Sequence, residues 1–201
     1  MRRAHKPIII AQFLMGPVLI AWPRLATDVI NLQPESKLWV DGTSSVRGFQ
    51  CRATALDAVF QADGSEVTRA VLRGEKAVSG LDLTIAAGQL ECGNGTMNAH
   101  MRKALKVEAN PTITFRLASY ELAKAGDTLR VDLTGELTLG GTTKTVNVRA
   151  NAEDMGDGVL RIAGSHELRM TEFGLKPPTL MLGTLKVHDK VKVGFDIRLT
   201  D

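Results

Sequence analysis

The feature that most constrains this chain is a strict alternation of apolar and polar residues through its second half. Between Arg130 and Leu139, Val131, Leu133, Leu137 and Leu139 share one phase. Asp132, Thr134, Glu136 and Thr138 share the other. Successive side chains of a strand point to opposite faces, so a period of two gives one dry face and one wet face. The pattern recurs further along the chain. Ile113, Phe115 and Leu117 oppose Thr112, Thr114 and Arg116; Val146, Val148 and Ala150 oppose Thr145, Asn147 and Arg149. Leu160, Ile162, His166, Leu168 and Met170 oppose Arg161, Ser165, Glu167, Arg169 and Thr171. Val191, Val193, Phe195, Ile197 and Leu199 oppose Lys192, Asp196 and Arg198. Strands with one dry face mark antiparallel sheet, because parallel strands are covered on both faces and read as continuous apolar runs.

The breaks between these segments have turn chemistry. Gly126-Asp127, Gly140-Gly141 and Asp154 to Gly158 supply the Gly and Asp that tight turns require. The first half is less regular, with strands expected over Leu38–Val40, Ser44–Ala55, Leu56–Gln61 and Ala77–Ala86. Six to eight short strands with such turns give a sandwich or a barrel. One segment departs from the period. Met97, Met101, Ala104 and Leu105 recur at i, i+4, i+7 and i+8, which predicts a short amphipathic helix over Asn94–Leu105. Asn94 or Thr96 is its expected cap. Pro111 then biases the chain to extended backbone ahead of the Thr112 strand.

The first residues read as an address. Arg2, Arg3, His5 and Lys6 precede a nearly uncharged run from Ile8 to Trp22, the pattern of an export signal. A cut after Ala26 would leave Arg24 where a small residue is required, so residues 1–26 are expected to be either a signal peptide or an uncleaved anchor, and 27–37 a linker. The expected location is periplasmic or secreted. The two cysteines, Cys51 and Cys92, fit an oxidising compartment, where an even count pairs into a disulfide; the alternative is two buried thiols. Aromatics are 4% of the chain and its +3 net charge is dispersed, which excludes a nucleic-acid surface. The mild basic excess is compatible with peripheral contact with an anionic membrane.

Chemistry-bearing motifs are absent. His100, His166 and His188 match no metal-ligand spacing, and no metal or cofactor is expected. No G-x-S-x-G elbow occurs. Gly140 to Lys144 lies between two strands and reads as a hairpin, not a phosphate loop. Met97 and Met101 read as packing. His166 shares phase with Leu160, Ile162 and Leu168, so it points inward, either as a satisfied core residue or as the polar contact for a ligand head. The chain is therefore not read as an enzyme.

The order of the pieces resembles the YceI-like family. Trp39 to Val46 is similar to its opening strand, Met97 to Leu105 to its His-containing helix, and Gly135 to Lys144 to its central hairpin. Phe173 to Pro177 and Val191 to Phe195 are similar to its last two strands and their loop. Gly48-Phe49-Gln50-Cys51 departs from the family where a His is frequent, and Asn98-Ala99 departs where an acidic residue precedes the helix His. The resemblance covers residues 38–201. It implies an all-β, antiparallel, eight-stranded lipocalin-like barrel with one short helix, exported and often dimeric. It also implies an elongated hydrophobic ligand, a polyisoprenoid or fatty-chain lipid, held by the inward residues named above other than Ala150, Val191 and Leu199. Glycines Gly135, Gly164 and Gly194 are expected to leave room for that chain. The alternative is a filled barrel serving as an envelope stress-response or assembly factor, or an enzyme using His100 or His166.

Overall fold

A computed structural model describes residues 30–125, 128–180 and 184–201. The segment 1–26, expected to be an export signal or anchor, and the turn expected at Gly126-Asp127 lie outside the described residues. The strands are β1 (Asn31–Leu32), β2 (Lys37–Ser44), β3 (Gly48–Ala53), β4 (Asp57–Ala62), β5 (Val78–Ala86) and β6 (Leu90–Glu91). They continue as β7 (Thr112–Ala125), β8 (Thr128–Leu139), β9 (Thr142–Asp154), β10 (Leu160–Arg169), β11 (Thr179–Leu180) and β12 (Leu185–Thr200). The helices are α1 (Val67–Leu72) and α2 (Gly95–Ala104).

The sheet order is β4-β5-β7-β8-β9-β10-β12-β2-β3-β6, with β1 and β11 also on β12. Every ladder is antiparallel. The sheet curls around the apolar faces that the alternation set apart. Its strand count differs from the eight expected, because ten strands lie on the path and two are short pairings on β12. Residues 30–32, expected within a linker, pack on the body: Ile30 is buried and Asn31–Leu32 pairs with Thr200 and Leu199. No ladder joins the edges β4 and β6 among the described residues. Near that gap Leu56, Met101 and Leu105 pack against Leu38, Ile85 and Leu90.

One end of the barrel is filled. The α1 residues Val67, Ala70 and Val71 pack among Ile30, Tyr120, Leu129, Val131, Ala150, Ala152, Leu160 and Leu199. This helix was not expected, since one turn of helical spacing is too short to stand out. The Asp201 carboxylate accepts from the Thr68 backbone N–H at 3.0 Å and from Thr68 Oγ1 at 2.6 Å. It thus supplies the cap that Glu66, in a left-handed conformation, does not. A bulge in β7 between Leu117 and Ser119 shifts the phase, so Tyr120 turns inward opposite Leu133. Its hydroxyl accepts from the Val78 N–H at 3.1 Å.

The β8–β9 turn has φ of 57° at Gly140 and 83° at Gly141, the paired left-handed conformations of a two-residue hairpin. The other glycines singled out are occupied positions, contrary to expectation. The Phe115 ring lies over Gly135 and the Phe195 ring over Gly164. Gly194 is covered by the Trp39 indole, directly across the β12–β2 ladder. The space left by each missing Cβ is taken by an aromatic ring.

Candidate functional site

Above the filled end the barrel encloses a chamber of about 480 Å³. Volumes of this order are typical of sites that bury a small molecule. Its walls take Ile113 and Phe115 from β7, Leu133, Leu137 and Leu139 from β8, and Val146 and Val148 from β9. Ile162, His166 and Leu168 come from β10, Met170 from the 3-10 turn after it, and Val193, Phe195 and Ile197 from β12. All of these are inward residues of the alternating strands. Leu117, Val131 and Leu160 are the exceptions among the expected wall residues. They share the inner face but belong to the filled end, packed with α1 and its neighbours, and do not border the chamber.

Much of the wall comes from the first half, where the pattern was weak. Leu38 and Val40 of β2, Phe49 of β3, Phe60 of β4, and Leu81, Leu83 and Ile85 of β5 line it. Met97, His100, Met101, Ala104 and Leu105 bring α2 against it. None of these is a wall residue expected from the sequence; the alternation of Leu81, Leu83 and Ile85 and the helical spacing of the α2 residues are the signals that could have found them. Nothing in the sequence pointed to Arg47.

Two links hold this side of the wall. Cys51 of β3 and Cys92 are joined by a disulfide across a separation of 41 residues. Asn94 caps α2, its Oδ1 accepting from the N–H groups of Thr96 and Met97 at 3.0 and 3.2 Å. The buried Asn98 accepts from Cys92 N–H at 2.7 Å and donates to the Glu91 carboxylate. A polar side chain is stable there because its carbonyl and amide are both used.

The chamber is apolar with a polar rim. Ser44, Arg47, Asn94, Thr96, His100 and His166 are its polar lining residues among the described ones, and no carboxylate among them borders it. Those that reach water are at the β2–β3 hairpin and the start of α2, together with Val46, which is 71% exposed. The mouth lies there. His166 is half-buried in the wall. His188 instead bonds through Nδ1 to Thr43 Oγ1 at 2.9 Å on the exposed side. The three histidines are not brought together, and no group of three His, Cys, Asp or Glu among the described residues could hold a metal ion. Outward charges are paired on the outer face, as in Arg149–Asp132 and Arg161–Asp196, both at 2.9 Å.

A curled antiparallel sheet around an apolar chamber, filled at one end and open at the other, defines a barrel of the ligand-binding kind. Residues 38–199 match the YceI-like domain, and the chain belongs to that family. It is 36% identical over 101 residues to a UPF0312 protein of Pseudomonas aeruginosa, covering 47% of this chain and 51% of that protein. A UPF0312 protein of Enterobacter sp. (strain 638) is 37% identical over 83 residues, covering 40% of this chain and 41% of that one. The chain thus spans about half the length of the curated relatives it matches. The fold is similar to the crystal structure of BcnA from Burkholderia cenocepacia, with a TM-score of 0.65 and 18% identity over 84% of this chain and 99% of that one. It is also similar to a polyisoprenoid binding domain from Saccharophagus degradans, with a TM-score of 0.64 and 14% identity over 86% of this chain and 98% of that one. No helix among the described residues is long and apolar enough to cross a membrane.

Proposed function

We propose that this protein is a carrier of the cell envelope that holds one elongated apolar molecule, a prenyl or acyl chain, inside its barrel. The observation that supports the reading is the chamber itself: about 480 Å³ walled by aliphatic, aromatic and thioether side chains. Burying each methylene against such a wall contributes about 0.8 kcal/mol. A long chain therefore binds without chemistry. The polyisoprenoid binding domain of Saccharophagus degradans has the same fold, which favours a prenyl chain as occupant. The basic head and apolar run at the start of the sequence, with the Cys51–Cys92 disulfide, favour an exported protein.

Native mass spectrometry of the full chain purified from the envelope tests this. A hydrophobic mass that co-purifies, leaves on delipidation and returns with added farnesol or hexadecanol is the expected result. Protein that arrives empty and takes up neither chain would favour a filled-barrel role or an activity at His100 or His166.

A further inference from the structure

We propose that the mouth of the chamber selects chains that end in an anion, a carboxylate or a phosphate ester, and that Arg47 discriminates them. This rests on the carrier reading and narrows it to one class of head.

The charge inventory of the chamber is one-sided. Among the described residues Arg47 is the one Arg or Lys of its lining, and neither Asp nor Glu borders it. Arg47 is held at the hairpin tip through its backbone: its N–H donates to Ser44 Oγ at 3.2 Å, and its carbonyl accepts from the Ser44 hydroxyl at 2.8 Å. Its guanidinium makes no ion pair among the described residues. Arg116, Arg130, Arg149 and Arg161 on the outer face each sit on a carboxylate. Among the described residues no side chain takes up the five N–H donors of the arginine at the mouth.

The polar lining residues of α2 and its cap are donors too. Asn94 uses Oδ1 on the Thr96 and Met97 N–H groups, which leaves its Nδ2 to donate. The Thr96 hydroxyl and the His100 ring complete this side, and either imidazole tautomer presents an N–H. A head with several acceptors and a negative charge meets all of these groups. An ammonium head meets a like charge and finds no counter-ion. A neutral alcohol brings two lone pairs and no opposite charge, so it meets fewer of these donors and leaves the guanidinium without a counter-ion. At the rim the anion stays at the water boundary, so its desolvation is modest while the tail is buried. Charge-assisted hydrogen bonds are roughly twice as strong as neutral ones, and the guanidinium donates to a carboxylate or phosphate in bidentate fashion.

The test is calorimetric titration of delipidated full chain with hexadecanoate, hexadecanol and hexadecylamine, and with farnesyl phosphate against farnesol. Each acid is expected to bind about tenfold or more tightly than its alcohol, with the amine weakest. In Arg47→Gln the acid-to-alcohol ratio should fall toward one, and in Arg47→Lys most of it should remain. Equal affinities for acid and alcohol in the natural chain, or a ratio that Arg47→Gln leaves unchanged, would overturn the proposal. Inorganic phosphate is expected not to displace hexadecanoate; displacement would assign the site to a free anion instead of a chain-borne head. If neither acid nor alcohol binds, the carrier reading falls and this proposal with it.

Discussion

Gly164 sits on the inner face of β10, where an added Cβ would lie 2.5 Å from the Arg149 carbonyl oxygen and 3.0 Å from the Ala150 Cα. Both neighbours are backbone of β9 and cannot swing aside. Gly164→Ala should therefore cost about 1–3 kcal/mol in chemical denaturation. Gly48→Ala, with the Gly42 carbonyl at 3.6 Å as its nearest neighbour, should stay within about 0.5 kcal/mol. The alternating faces give a second contrast. Leu133 borders the chamber, so Leu133→Asp places a charge without a partner in an apolar wall and should unfold the protein or lower its stability by about 3 kcal/mol or more. Thr134 points outward to Asn147 at 2.9 Å, and Thr134→Asp should change stability by about 1 kcal/mol or less. Equal losses would mean that this sheet is covered on both sides. The period of two made these faces legible in the sequence. It carries no information on height along the barrel, which is why Val131 and Leu133, two residues apart on one face, end in the filled end and the chamber respectively.

The elements differ in how far their sequence announced them. The long strands β7 to β10 and β12 alternate over many residues, and α2 shows two turns of helical spacing behind an Asn cap. The six residues of α1 offer only Val67, Ala70 and Val71 as a pattern, and its cap arrives from the far end of the chain. Removing that cap by Asp201→Ala should cost about 0.5–2 kcal/mol and speed amide exchange in α1 before other elements. An unchanged exchange rate in α1 would show that the carboxylate contributes nothing. The disulfide ties β3 to Cys92, in the short segment between β6 and α2. In the chain-entropy model, closing a loop of 41 residues stabilises the fold by roughly 4 kcal/mol. Cys51→Ala with Cys92→Ala should lose about that much in denaturant titration. Unreduced protein should take up no thiol label under denaturing conditions, and two labels would end the assignment.

The molecule as a whole should lose stability in acid. Arg161 donates from Nη2 to Asp196 at 2.9 Å and from Nη1 to Glu153 at 2.8 Å. The hydrogen bond from Arg161, opposed by partial burial, holds the Asp196 carboxyl below the usual carboxylate range. Such a group contributes stability that is fully present above its unfolded value and lost as pH falls through its lower folded value. Stability should be level above about pH 5 and decline below about pH 4, and Asp196→Asn should make that decline shallower. Ligand size is set at the same scale. At roughly 30 Å³ for each water-sized group, the chamber holds about sixteen methylene-sized units. Affinity in a homologous series should climb by up to about 0.8 kcal/mol per methylene and then level near that length. A slope of zero across the series would exclude burial of the tail. Finally, Ile30 and Asp201 both lie beside α1, at the filled end of the barrel. The chain is thus held at its blunt pole, and whatever is joined beyond Asp201 emerges there. A tag, a surface linkage or a fused reporter on that terminus leaves the opposite pole facing solution, so immobilised protein should take up and release its cargo at the rate of free protein.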